Sequence, residues 1–422
     1  MSGALAQPRD AVVGLDVGTT KICAVVGRPT SDGLLEVLGV GLEPAEGLKR
    51  GVVVDIQQTT ASIGQAIRKA EAMAGVTIRS AIVGITGAHV SSLNVTGRAS
   101  VSGRQVSRED CDRALQTARG NVGNLGGNRE IIHIIPREYA LDGQTGITRP
   151  LGMVGMHLEV KAHVVTGVSS IITNVRQCVE ACDVEVAETV LEPVATAEAT
   201  LTEGERDLGV TLIDIGGGTT DIAVFIDGTI CHTSAIAVGG NHITRDVAIG
   251  LRVPATEAER LKCRAGHALP SSVGDRERVS VEVVGTGDTE HVPRRVLAEI
   301  IDARLEEVFC LVRADLQRSG AHSLVGGVVV SGGGSQLPGL LASGSRVLDG
   351  VRMRRGTPRH ITGLAGHVSS PIYATAIGLA LYGASPAART GPLAPMVAPE
   401  GLFAGLRDRL ASVLARLRRR GE

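Results

Sequence analysis

The sequence predicts a two-lobed α/β protein folded around a phosphate-binding cleft, and three observations predict it. Asp16–Lys21 reads DVGTTK and Asp214–Asp221 reads DIGGGTTD, two versions of one acid and glycine-turn motif almost two hundred residues apart. Each copy follows an apolar β-branched run (VVG before Leu15, VTLI before Asp214) and leads into another (ICAVV, IAVF), the pattern of a β-hairpin. The chain, at 422 residues and 43% apolar, is long enough to bury two cores. Either motif alone reads equally as an ordinary tight turn. Their match, D-aliphatic-G, then TT, then a charge and Ile, then A-V, marks a duplicated domain.

The residue types at the two tips suit one chemistry. Glycine lets backbone amides approach an anion that a Cβ would push away, and Thr hydroxyls with successive N–H groups cradle a phosphate. Asp16 and Asp214 fit because a nucleotide phosphate arrives with a divalent cation, which needs carboxylate or carboxylate-bound water.

Residues 11 to 83 alternate strands (AVVGLDV, KICAVVG, LEVLGVG, VVVDI) with a helix from Thr59 to Ala74, whose Ile63, Ala66, Ile67 and Ala70 share a face. Residues 84 to 163 differ: polar strands, a Ser-Arg-Glu-Asp helix start at 107 to 110 and a Gly/Asn-rich loop at 120 to 128 predict an inserted unit. The α/β pattern resumes with a strand at HVVTGV, a helix near Ile171 to Ala181 and the segment LEPVATAEATL. After the second hairpin, AIAVGGNHITRDVAIGL reads as a strand, a Gly-Gly turn and a helix with Asn241 as N-cap; its amino end either faces an anion or packs on the sheet. Residues 266 to 293 predict a small α/β unit, and a helix from Arg294 to Leu316 leads to GGVVVSGGGSQLPGLL, a third nucleotide-type turn at Gly332, Gly333 and Gly334.

The end of the chain changes character. Residues 385 to 401 (SPAARTGPLAPMVAPEG) predict a flexible tether. Beyond it Leu402, Phe403, Leu406, Leu410, Val413, Leu414 and Leu417 recur at helical spacing, with six arginines on the other side or at the end. A basic amphipathic helix on a tether lies in the headgroup zone of an anionic membrane, docks in a partner's groove, or folds back on the core.

Composition removes several function classes. A net charge of −1 and only six aromatics leave neither a basic field nor stacking platforms for nucleic acid, so no nucleic-acid partner is expected. Seven scattered cysteines suit a reducing compartment, and Cys178 with Cys182 read as core residues instead of half of a metal site. The first ten residues carry no secretory pattern, and Ile372 to Gly383 is shorter than the ~20 residues a spanning helix needs. A cytoplasmic protein is the expectation.

The paired DxG hairpins with the later SGGGSQLPG turn resemble the superfamily of actin, sugar kinases and heat-shock chaperones. Within it, HIIPREYALDGQTGITRPLGMVGMHLEVKAHVVTG (133 to 167), VGGNHITRDVAIGL and AERLKCRAG resemble the bacterial cell-division family FtsA, over essentially residues 11 to 383 plus the terminal helix. The resemblance implies an actin-like fold of duplicated ribonuclease-H-like domains with an FtsA-type inserted subdomain. It implies residues 1–10 as a disordered N-terminus, 11–83 and 164–203 as subdomain 1A completed by a helix at 372–383, and 84–163 as subdomain 1C. It places subdomain 2A at 204–240 and 301–371, subdomain 2B at 241–300, a linker at 385–401 and a membrane-targeting helix at 402–420.

The resemblance also implies cofactors, sites and partners. ATP with Mg2+ would lie between a first loop of Asp16, Gly18, Thr19, Thr20 and Lys21 and a second of Asp214, Gly216, Gly217, Gly218, Thr219 and Thr220, with Asp16 and Asp214 holding the metal and its waters. Gly332, Gly333, Gly334 and Gln336 would pack on adenosine, and Glu259 and Lys262 would reach the ribose. Glu192 resembles the carboxylate that orients the attacking water in chaperone ATPases; the alternative is a helix-start acid beside Pro193. Positioning and charge neutralisation suffice for slow ATP hydrolysis serving as a timer. The implied partners are the FtsZ tail, received near Arg294 and Arg295, further copies in a filament, anionic lipids and other division proteins, at the cytoplasmic face of the membrane at the septum. Two other readings remain at this point: a small-molecule kinase of the same superfamily and an actin-like adaptor of pilus assembly.

Overall fold

A computed structural model describes residues 5–6, 11–123, 126–282, 289–320 and 326–384. The predicted terminal helix, with Leu402, Phe403, Leu406, Leu410, Val413, Leu414 and Leu417, and the linker at 385–401 lie outside the described residues. Within the ten N-terminal residues expected to lack structure, Leu5–Ala6 pairs in parallel with Val76–Thr77.

Two mixed sheets carry the molecule, and they share one plan. The first runs Glu185–Leu191, Ser80–Ile85, Val12–Val17, Lys21–Pro29, Leu35–Pro44 and, at its far edge, Ile361–Gly363. The second runs Met353–Arg355, Val328–Ser331, Val210–Ile215, Thr220–Ile226 and Thr229–Ile236. In both, the first three strands named are parallel and the next two antiparallel, so the duplication visible in two short motifs extends to five strands of each sheet. The motif hairpins occupy the same place in each: Asp16 pairs with Cys23 and Asp214 with Asp221.

Helices cover the sheets where their apolar faces require it. Ile56–Ala74 buries Ile63, Ala66, Ile67 and Ala70, the predicted face. It begins three residues earlier than expected, because Asp55 accepts from the Gln58 N–H at 3.0 Å and caps it there. Helix Glu192–Thr200 lies between the lobes: its Ala197 joins the core of Val210, Leu212 and Val329, and its Ala195 joins that of Ile82 and Leu379. Helix Ala374–Ala384 belongs to the first lobe, packing on Val25 and Leu35 through Ala376, Ile377 and Ala380. In the second lobe, Gly240–Leu251, Ala255–Ala265 and Arg294–Ser319 enclose the core around Leu297, Ile301 and Phe309.

A four-stranded antiparallel sheet, ordered Gln144–Ile147, Arg129–Leu141, His157–Val168 and Ser91–Ser100, leaves the first lobe after Ile85. Helix Arg108–Asn121 covers one face through Cys111, Ala114 and Ala118. The predicted helix start is a capping box: Ser107 Oγ accepts from the Asp110 N–H, and the buried Asp110 carboxylate accepts from the Ser107 N–H. Among the described residues, no helix is long and apolar enough to cross a membrane.

Candidate nucleotide cleft

Both hairpin tips are closed by their own backbone, Gly18 N–H donating to Lys21 O and Gly216 N–H to Thr219 O. They meet across the gap between the lobes. Thr20 Oγ1 donates to Asn241 Oδ1 at 3.4 Å, and a Cβ placed on Gly217 would fall 1.7 Å from Thr20 Oγ1. The third turn continues from the end of strand Val328–Ser331, next to Asp214: Gly332 has φ +78°, and a Cβ there would lie 2.2 Å from an Asp214 carboxylate oxygen. Gly333, by contrast, has only Ile372 within 4 Å of its own Cβ position and faces open space.

These elements bound a cavity of about 440 Å3. Asp16, Gly18, Thr19, Thr20, Lys21, Glu192, Asp214, Gly216, Gly217, Gly218, Thr219, Glu259, Lys262, Gly332, Gly333, Gly334 and Gln336 all line it. Thr220 does not: fully buried, its hydroxyl donates to Val238 O at 2.8 Å and braces the strand, because alternation along the hairpin turns it to the opposite face. The helix after the Gly-Gly turn also differs from expectation. Gly239, not Asn241, is its N-cap, and the first-turn N–H groups of Gly240 and Asn241 donate to Gly216 O and Gly217 O. That helix end therefore braces the second loop, and those two donors are spent.

The electrostatics of the cavity are dominated by acids. Asp16 is 3% exposed and pairs with Lys21 Nζ at 2.5 Å. Asp214 accepts from Thr196 Oγ1 at 3.0 Å and Thr375 Oγ1 at 3.4 Å, yet burial, joined by the charge of Asp16, pushes its carboxyl up to about 6. Asp221 and Thr86 complete the site without having been singled out from the sequence. Asp221 accepts from Thr86 Oγ1 and from Thr219 Oγ1, and burial, reinforced by Asp214 and Asp16, pushes it up to about 7. The available signal was positional: Asp221 closes DIGGGTTD where the first copy has Lys21.

Glu192 opens helix Glu192–Thr200, with Pro193 next to it, so the helix-start reading describes its place in the chain. Its side chain nevertheless turns into the cavity. Oε1 is buried with no hydrogen-bond partner among the described residues, and burial followed by the charges of Asp16, Asp221 and Asp214 raises the carboxyl well above the usual range. On the far wall, Lys262 pairs with Glu259 at 2.6 Å and donates to Gly240 O and Thr244 Oγ1.

Around the hairpin tips the four buried carboxyl groups of Asp16, Asp214, Asp221 and Glu192 face one ammonium, that of Lys21, while Lys262 on the far wall is paired with Glu259; a divalent cation with its phosphate ligands would neutralise that excess. Among the described residues no three His, Cys, Asp or Glu side chains cluster as a metal cage. A cation held largely by phosphate oxygens and water, as magnesium is in nucleotide sites, fits that donor set better than a protein-only site. Arg294 and Arg295 lie elsewhere, at the start of helix Arg294–Ser319, paired with Glu277 at 2.5 Å and with Asp275 at 3.1 Å.

Comparison with known proteins sorts the superfamily. The family model described as cell division protein FtsA matches residues 211–378, and that described as the SHS2 domain inserted in FtsA matches residues 87–166. Cell division protein FtsA of Pseudomonas aeruginosa is 42% identical over 373 residues, 88% of this chain and 89% of the relative. The chain belongs to the FtsA family of cell division proteins. The FtsA proteins of Neisseria meningitidis, 39% identical over 86% of this chain and 88% of that one, and of Bacillus subtilis, 38% over 87% and 82%, agree. Solved structures share the actin-like fold. A PilM–PilN type IV pilus biogenesis complex aligns with TM-score 0.67 at 16% identity over 90% of this chain and 100% of that one. MreB5 of Spiroplasma citri bound to ADP aligns with TM-score 0.53 at 14% over 89% and 96%. At such identities the likeness to the pilus protein is one of fold, whereas membership of the FtsA family rests on sequence.

Proposed function

We propose that this member of the FtsA family binds magnesium and ATP in the interlobe cleft, hydrolyses ATP slowly, polymerises, and tethers FtsZ filaments to the cytoplasmic membrane while recruiting later division proteins. One observation carries the nucleotide reading: two glycine hairpins from duplicated sheets touch across a cavity into which Asp16, Asp214, Asp221 and Glu192 converge. The tips of Gly18–Thr20 and Gly216–Thr219 supply N–H and hydroxyl groups for phosphates, and Lys21 supplies a cation. Asp16 and Asp214 serve magnesium through its waters, and Glu259 with Lys262 serves the ribose. Gly333, open to the cavity, lets the backbone lie flat against the base. Glu192, whose Oε1 has no hydrogen-bond partner among the described residues, is the group left to orient an attacking water.

The tether reading rests on the chain's last residues, 402 to 420, whose apolar stripe and arginines suit an anionic bilayer; each arginine near such a surface adds about 1 kcal/mol. The FtsZ tail is assigned to the Arg294 and Arg295 region, and part of the head-to-tail filament contact to the inserted domain.

Two measurements test this reading. Asp214→Ala should weaken binding of ATP with magnesium, and unchanged affinity would remove the cleft assignment. Deleting residues 402–422 should abolish co-sedimentation with anionic liposomes; a truncated chain that pellets as well as the intact one would remove the anchor.

A further inference from the structure

The strand Arg129–Leu141 of the inserted domain is where three cores meet. Ile132 packs against the first lobe's core, Ile134 against the inserted domain's own and Ile135 against the second lobe's. Between them stands His133, half-buried and set against Tyr382 with ring centroids 6.4 Å apart in an edge-on pose. Its Nε2 lies 3.0 Å from the backbone nitrogen of Leu191. An N–H can only donate, so Nε2 is the bare nitrogen and the proton sits on Nδ1. Burial lowers the imidazole to about 4 and keeps it neutral, hence an acceptor, at neutral pH.

Leu191 is the N-cap of helix Glu192–Thr200, and no side chain caps that helix. Glu192 follows directly, its Oε1 unpartnered and its stem pressed against Gly84, where a Cβ would come within 2.9 Å of Glu192 Cγ. Oε1 thus takes its place from the backbone that carries it and from packing against Gly84, and the side-chain hydrogen bond on that backbone comes from another domain.

We propose that His133 is a positioning residue for hydrolysis: by accepting the Leu191 N–H, the inserted domain fixes the turn from which Glu192 enters the cleft. This rests on the role given to Glu192 above. Its consequence is that displacement of the inserted domain, by a partner or a neighbouring copy, changes turnover before it changes nucleotide affinity.

The test uses the full chain, with ATP affinity and single-turnover hydrolysis measured for His133→Phe, His133→Gln and Glu192→Gln. Phenylalanine keeps the ring against Tyr382 but has no acceptor; glutamine keeps an acceptor of similar reach. His133→Phe should lower the hydrolysis rate about tenfold or more, since small misplacements of catalytic groups are costly. ATP affinity should stay within about twofold, and His133→Gln should recover most of the rate. Normal turnover in His133→Phe beside impaired Glu192→Gln overturns the proposal alone. Normal turnover in Glu192→Gln overturns the role of Glu192 and the proposal with it. Parallel loss of affinity and rate, or no recovery with glutamine, reduces His133 to a structural residue and also overturns it. Should His133→Phe not fold, Leu191→Pro deletes the donor instead, at a residue whose φ of −63° suits proline, and the same rate loss is required.

Discussion

Asp221→Asn removes one of the acids crowded into the cleft while keeping the side chain's shape. Asp221 is 5% exposed and held by the hydroxyls of Thr86 and Thr219, either of which can rotate to accept from an amide. Its carboxyl is pushed from an ordinary 3.8 to about 7 by burial, with Asp214 and Asp16 adding to it. The folded protein thus holds this proton more tightly than the unfolded chain. The stability that the protonated acid contributes is complete below the unfolded value and is lost as pH rises through the folded one. At about 1.4 kcal/mol per pH unit, the loss approaches about 4 kcal/mol by about pH 8. Asparagine has no charge to bury, so the variant should gain on the wild type by roughly 3 kcal/mol between about pH 5 and about pH 8. For a chain of this length that corresponds to a Tm difference opening by about 3 °C. Thermal unfolding of both proteins without nucleotide, followed by circular dichroism across that range, measures it. Parallel Tm profiles for the two would refute the argument, because any constant difference in hydrogen bonding cancels and only the titration remains.

Three further outcomes follow from contacts. Gly217→Ala places a Cβ 1.7 Å from Thr20 Oγ1 and 2.9 Å from Thr20 Cβ; the hydroxyl can swing away but the Cβ cannot, so the tips part and ATP affinity should fall about tenfold or more with Tm nearly unchanged, as read by calorimetric titration. Gly378→Ala sets a Cβ 1.8 Å from Ala195 O, in the backbone of the helix that carries Thr196 and Glu192, and should cost about 1–3 kcal/mol or more in denaturant unfolding as well as disturbing the cleft. Asp110→Ala leaves the partly buried N–H groups of Ser102 and Ser107 without their acceptor and removes the reciprocal half of the capping box of helix Arg108–Asn121, whose N-cap Ser107 remains, so it should destabilise the inserted domain by about 1–3 kcal/mol, seen as faster amide exchange confined to that domain.

Much of the fold could be read from local chemistry. Glycine and threonine between two β-branched runs specify a hairpin wherever they occur, and Ser107 followed by Asp110 specifies a helix start, because these interactions close within a few residues. The same locality misled at Asn241, where a good capping residue stands two places too late. Gly239 takes the cap because Gly240 and Asn241 give their N–H groups to the second loop, a contact that no window around Asn241 contains. Thr220 beside Thr219 is the opposite case, one that strand alternation alone could have sorted: of two identical neighbours, one turns into the cavity and one to Val238.

By itself, then, the order of residues determined the hairpins, their duplication and the acids at their tips, since backbone preference and side-chain alternation are settled over short spans. Tertiary structure decided which distant groups share a cavity and what charge each carries there. Thr86 reaches Asp221 across 135 positions and His133 reaches Leu191 across 58. The raised carboxyls of Asp214, Asp221 and Glu192 exist only because folding removes water from all of them at once and brings like charges together.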